Sequence, residues 1–148
     1  MELALGLAIS VCLAAGVILM HFGALSTLRS GLPRLGLARG WQMAVGVFAL
    51  FLAHLLEIAL YAVAYWVISR VTSQPSFAQG SVDSALDLLH FSATAFSTLG
   101  LSDLEAKGLC KLVAPLEGLV GFTMITWSAT YTFSMVEFWR AEEAERAR

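Results

Sequence analysis

The stretch Ser84-Ala85-Leu86-Asp87-Leu88-Leu89-His90-Phe91-Ser92-Ala93-Thr94-Ala95-Phe96-Ser97-Thr98-Leu99-Gly100-Leu101-Ser102-Asp103 decides the architecture. Its first four residues match a capping box, in which the Ser84 hydroxyl accepts from the Asp87 N–H and the carboxylate returns a bond to the cap. Apolar Leu86, Leu88, Leu89, Phe91, Ala93, Ala95 and Phe96 follow, interleaved with Ser92, Thr94, Ser97 and Thr98. A helix over 84–97 would be roughly 20 Å long, about two-thirds of a bilayer's hydrocarbon thickness. It is too short to cross. It therefore re-enters the membrane or lies on its surface. The uncharged residues 98–102, with Gly100 among them, favour re-entry, because irregular backbone at membrane depth survives only against protein or a wet cavity. A helix entering this way sets its partially negative C-terminal end deep in the membrane, where it favours a cation. The strand beyond it climbs back out with its carbonyls available as ion ligands.

Three longer apolar stretches surround this segment. Leu3 to Phe22 carries no charge, Trp41 to Ile68 is broken only by His54 and Glu57, and Leu112 to Trp139 holds Glu117 and Glu137 near its ends. Each meets the requirement of about 20 helical residues, and the later two exceed about 35 Å, so they tilt or project. The whole composition agrees: of 148 residues, 58% are hydrophobic and 14% charged, and mean hydropathy is +0.76. A soluble domain carries about a quarter charged residues. A disulfide scaffold, a disordered tail and a water-soluble enzyme are excluded, and no nucleophile–base set, metal cluster or phosphate loop appears. The net charge of -2 leaves no basic stripe for nucleic acid. Cys12 and Cys110 lie in different segments, which speaks against both a disulfide and a zinc site.

The first stretch lacks the basic start of a cleaved signal peptide, since Glu2 is its only early charge and Arg29, Arg34 and Arg39 come after it. That order implies a retained helix with its N-terminus outside and the 29–40 loop in the cytoplasm. Arg140, Arg146 and Arg148 then also lie inside, while Arg70, Lys107 and Lys111 lie outside.

The order of outer helix, pore helix, Thr98-Leu99-Gly100-Leu101-Ser102-Asp103 and inner helix resembles the pore domain of tetrameric potassium channels. It is similar, more closely, to small bacterial two-pore-domain-type or ion channel family proteins. His54-Leu55-Leu56-Glu57 and Thr126-Trp127-Ser128 stand where that family carries a His-x-x-Glu in the outer helix and a Trp-Ser stretch in the inner one. The resemblance covers about residues 41–139. It implies an all-α membrane protein: an added N-terminal helix over 1–28, a basic loop over 29–40, a pore domain over 41–139 and a cytoplasmic tail over 140–148. Within the pore domain the outer helix is expected over 41–68, a re-entrant pore helix over 84–97, the filter over 98–103 and the inner helix over 112–139. It further implies a homotetramer in a bacterial cytoplasmic membrane, with lipid and its own copies as partners and no cofactor beyond the permeant cation.

By the same resemblance, Thr98, Leu99, Gly100, Leu101 and Ser102 form the selectivity filter, and Asp103, His90 and Thr94 support it, with His90 approaching Asp103. A filter needs backbone that alternates between right- and left-handed regions, which glycine enters freely and other residues at about 1–2 kcal/mol. The family's Thr-Val-Gly-Tyr-Gly has glycine at both such places, whereas this chain has Ser102 at the second and Leu101 for the aromatic. The outer ion site near them is expected to be strained, widened or collapsed. His90 serves as a pH sensor or as a plain structural histidine.

His54 and Glu57 share a helical face with Tyr61 and point inward, bracing the bundle or gating it; too few other ligands accompany them for a metal. Glu117 is expected in the same network. The hydroxyls of Thr123, Thr126, Ser128, Thr130, Thr132 and Ser134 line a wet cavity or bond back to their own helix. Gly118 and Gly121 allow close packing or bending, Phe133 is a possible gate, and Trp139 is an interfacial anchor. The first helix is expected at the periphery, against an outer helix. No span has a voltage sensor's arginine ladder, and the residues after Trp139 are too few for a ligand-binding domain. The function read from this sequence is passive cation conduction, most readily of potassium. The alternatives are a non-selective pore and a non-conducting, channel-like scaffold.

Overall fold

The computed structural model describes residues 2–72, 75–78 and 84–148; the remainder of the expected outer loop, 73, 74 and 79–83, lies outside the described residues. Among the described residues four α-helices make the fold: α1 (Glu2–Gly31), α2 (Arg39–Val71), α3 (Ala85–Phe96) and α4 (Cys110–Arg146). α1, α2 and α4 have 30, 33 and 37 residues and are long and apolar enough to cross a membrane. α3, with 12 residues, is not. Large apolar side chains cover the outside of every long helix, among them Leu19, Phe48, Leu56 and Phe122. In water such a surface would aggregate; in lipid it is the solvated face.

The basic loop expected over 29–40 is mostly helical. α1 carries on through Arg29 to Gly31, a 3-10 turn spans Leu32–Leu35, and α2 begins at Arg39. Pro33 cannot extend α1, and Gly36, in the left-handed region at φ +62°, turns the chain back. The expected tail is likewise helix up to Arg146. Arg39 holds it there: its guanidinium pairs with Glu142 at 2.6 Å and with Glu143.

α1 packs on α4 as well as on the expected outer helix α2. α3 is wedged between α2 and α4. Its start is capped by Ser84, whose hydroxyl accepts from the Asp87 N–H at 3.2 Å. Its outer flank is pinned by an antiparallel bridge between Phe77 and Ala106, with the Ala78 N–H donating to the Glu105 carbonyl at 2.9 Å and the Lys107 N–H to the Ser76 carbonyl at 2.8 Å. Phe77 thereby meets Phe91 and Tyr65 edge to face, at 5.2 and 6.3 Å between centroids. Such rings add about 0.5–1.5 kcal/mol per pair beyond their burial.

The other end of α3 sits on the two glycines of α4. A Cβ at Gly118 would lie 3.1 Å from the Ala95 carbonyl oxygen, and one at Gly121 would collide with the Phe96 carbonyl. Both glycines therefore serve close approach. By helical rise they lie roughly 12–17 Å along α4 from its start, so α3 ends beside the interior of that long helix and not at its tip. Gly121→Ala should destabilise the protein by about 1–3 kcal/mol or more, read as an earlier thermal transition of the detergent-solubilised protein. Gly16→Ala, where a Cβ meets nothing within 4 Å, should leave the transition in place or raise it slightly.

Candidate functional site

Three polar features meet around the inner end of α3. The first is the chain that leaves it. Ser97 closes the helix and Thr98, at φ +60°, takes the left-handed position of a Schellman turn. The Thr98 N–H donates to the Ala95 carbonyl at 3.0 Å, and the Leu99 and Gly100 N–H groups share the Thr94 carbonyl at 2.9 and 3.1 Å. Gly100 is again left-handed, at φ +64°. Positive φ thus falls on Thr98 and Gly100, with Leu99 between them, and not on Ser102. Threonine there costs about 1–2 kcal/mol, which the turn's hydrogen bonds offset. The N–H groups of 98–100 are spent on the helix end. Among the described residues, the carbonyls of Thr98, Leu99, Gly100 and Leu101 accept no hydrogen bond, and all four residues are exposed on the protomer.

The supporting residues are arranged differently from the expectation. His90 is exposed and makes no hydrogen bond to Asp103 within the protomer; it lies nearly two helical turns before the end of α3. Ser102 instead accepts from the Leu104 N–H at 3.2 Å, making the local turn. Thr94 is buried and donates to the Phe91 carbonyl at 2.9 Å.

The second feature is Glu117, fully buried on α4. The Tyr65 hydroxyl donates to its Oε2 at 2.5 Å, and Ser92 Oγ lies 2.6 Å from its Oε1 and 2.8 Å from the Ile58 carbonyl. A carboxylic acid at Glu117 would supply one hydrogen to each contact: Tyr65 to Oε2, Oε1 to Ser92, Ser92 to Ile58. This arrangement ties α3 to α2 and α4. It is separate from the His54–Glu57 pair.

That pair belongs to the third feature, a closed ring of hydrogen bonds. Glu57, fully buried, places Oε1 2.8 Å from Nδ1 of His21 and Oε2 2.9 Å from Nδ1 of His54. Ser128 Oγ closes the circle at 3.2 Å from Nε2 of His21 and 3.1 Å from Nε2 of His54. Each of the four contacts needs one hydrogen. A carboxylate, two neutral imidazoles and a hydroxyl bring three between them. One added proton fills the fourth and cancels the carboxylate's charge, which removes the main cost of burying this cluster in a membrane. The ring joins α1, α2 and α4 directly beneath α3, for His54 also meets Phe96 at 5.9 Å.

His21 was not among the residues singled out from the sequence. It is 36 positions from Glu57, and the available signal was a lone imidazole inside an otherwise uncharged span. With it, the objection that too few ligands surround His54 and Glu57 no longer holds: His21, His54 and Glu57 bring their ligand atoms within 4.8 Å of one another. The two imidazoles, however, stack at 5.2 Å and 20°. Their ring nitrogens point side by side, a geometry that suits a hydrogen-bonded circle better than convergence on one ion.

Of the α4 hydroxyls only Ser128 joins this ring. Thr123, Thr126, Thr130, Thr132 and Ser134 each donate to the carbonyl four residues earlier in α4, at 2.8–2.9 Å. Phe133 is exposed on the protomer. Ser128→Ala should orphan both Nε2 atoms and cost about 1–3 kcal/mol for each, seen as a lower thermal midpoint in detergent. Thr132→Ala, which removes only a back-bond to its own helix, should stay within about 0.5 kcal/mol of the parent.

The sequence pattern of the family described as "Ion channel" matches residues 45–138. Neither a curated protein nor a solved structure matches the chain. Because the family match takes in the half-length helix, the turn after it and both long helices that hold it, the chain belongs to the ion channel family and is not an enzyme.

Proposed function

We propose that the chain assembles as a homotetramer that conducts cations, potassium foremost, through a filter of backbone carbonyls from Thr98 to Ser102. One observation carries this reading: among the described residues the carbonyls of 98–101 accept no hydrogen bond, on an exposed edge that begins where α3 ends against the long α4 and that lies, on this reading, at membrane depth. At that depth an unsatisfied backbone carbonyl costs several kcal/mol. A dehydrated cation removes the cost for all of them. A single strand cannot surround an ion, whereas four about an axis can. The C-terminal end of α3 adds its partial negative charge below the strand, and positive φ at Thr98 and Gly100, on either side of Leu99, supports the backbone alternation that such a filter needs.

Conduction then needs no covalent chemistry. Water leaves the ion at the filter, carbonyl oxygens replace it, and ions in adjacent sites displace one another. We place the N-terminus outside and the arginine-bearing ends of the helices in the cytoplasm of a bacterial cell, following the excess of Arg at that end. Asp103, at the outer mouth on this reading, concentrates cations.

Planar bilayers with the purified protein test this. Discrete current steps reversing at the potassium equilibrium potential are expected, and Gly100→Ala, which forces a side chain into the left-handed region, should abolish them while leaving the assembly intact. Steps that reverse midway between the potassium and sodium potentials would remove the selectivity. Silence over a wide range of voltage and pH would remove conduction.

A further inference from the structure

At the end of the bundle away from α3, a half-open cavity of about 600 Å³ lies between the C-terminal turn of α1, the 3-10 turn, the start of α2 and α4. Its long wall is α4 from Trp127 to Trp139, about 18 Å by helical rise. The lining is mainly apolar, with Leu28, Met135 and Phe138 beside the two tryptophans. Of the α4 hydroxyls that line it, those of Thr130 and Ser134 are spent on their own helix, which leaves Tyr131 and Gln42 as the polar groups of the wall besides Arg29. Trp127 closes the deep end, where it packs on His21 at 5.6 Å.

The other end differs in kind. Arg29, exposed, lines it beside Tyr131. Arg39, Arg140 and Arg146 are each matched by a glutamate; among the described residues Arg29, Arg34, Arg70 and Arg148 form no ion pair, and of these four Arg29 alone lines the cavity. A long apolar slot within the bilayer, opening at its interface beside an unmatched guanidinium and a tryptophan, is complementary to one kind of molecule, a lipid with an anionic head. Arginine's fork is suited to phosphate oxygens.

We propose that this cavity is a binding site for an anionic phospholipid, with an acyl chain lying along α4 between Trp139 and Trp127 and the headgroup phosphate paired with Arg29. The chain's far end abuts Trp127 and through it the His21 ring, so the lipid fills the space that would otherwise leave α1 loosely held against α4. The site is independent of whether the pore conducts.

Native mass spectrometry of the full-length protein in detergent tests the assignment, using dioleoyl phosphatidylglycerol against dioleoyl phosphatidylcholine. The anionic lipid should be retained about fivefold more strongly, the worth of one interfacial arginine. Arg29→Gln should lose that preference, and Arg29→Lys should keep most of it. Arg70→Gln, at the opposite end of α2, should not change it. Equal retention of the two lipids by the parent protein would overturn the proposal, as would an undiminished preference in Arg29→Gln. Inorganic phosphate that displaces the lipid or matches its effect on thermal stability would show a free-anion site and overturn it equally. Should Arg29→Gln fold poorly, Met135→Trp, which fills the slot, is expected to reduce retention of the anionic lipid; unchanged retention would contradict the assigned place of the acyl chain.

Discussion

Inside a bilayer each hydrogen-bonding group must find its hydrogen or its acceptor within the protein, and charge must be cancelled where it lies. Most of this structure follows from that constraint. Glu57 is the centre of a circle that closes on Ser128 and both histidines. Glu117 is enclosed by Tyr65 and Ser92. The hydroxyls of α4 that have no partner across the bundle return to their own helix. Among the described residues the carbonyls of 98–101 accept no hydrogen bond, and the function proposed for the chain rests on them: a passing ion would satisfy what the protein leaves unmatched.

The polar clusters also explain how a short helix stays at a depth it could not hold alone. α3 has too little length to span and leaves its C-terminal carbonyls in the hydrocarbon unless something receives them. The Schellman turn at Thr98 receives two of them, and the bare faces of Gly118 and Gly121 let the last turn press against α4. Beneath it the His21–His54–Glu57–Ser128 ring supports Phe96, and above it the Glu117 cluster holds Ser92. Removing any one of these supports loosens the point from which the carbonyl strand starts. Packing and the candidate ion path are thus one piece of physics.

Much of this was legible in the sequence. The membrane class, the three spans and the half-length segment follow from length and hydropathy, and the pore arrangement from the family resemblance. Ser84 announced its cap by residue type. His54 and Glu57, three apart, showed a shared face because helical period is local information. What could not be read was pairing across distance. His21 reaches Glu57 from another helix, and Ser128 looked like any other hydroxyl of α4 until two imidazoles were seen to face it. The left-handed residue at Thr98 was hidden for a related reason. The family's glycine pattern drew attention to Ser102, while the helix terminus itself demanded the strained position earlier, on a β-branched residue. By position in the sequence Arg39 is one more charge of a basic loop; in the fold it fastens α2 to the far end of α4.

The central claim is that backbone oxygens beside Gly100 replace the water of a cation on a symmetry axis. The most direct measurement is a density map of the purified assembly prepared in a potassium salt and again in its absence. Four protomers in a closed ring are expected, with potassium-dependent peaks on the axis at ligand distance from the carbonyls of Thr98 to Leu101. Protomers that fail to close a ring, or a ring in which Gly100 faces lipid or open solvent, would contradict the account.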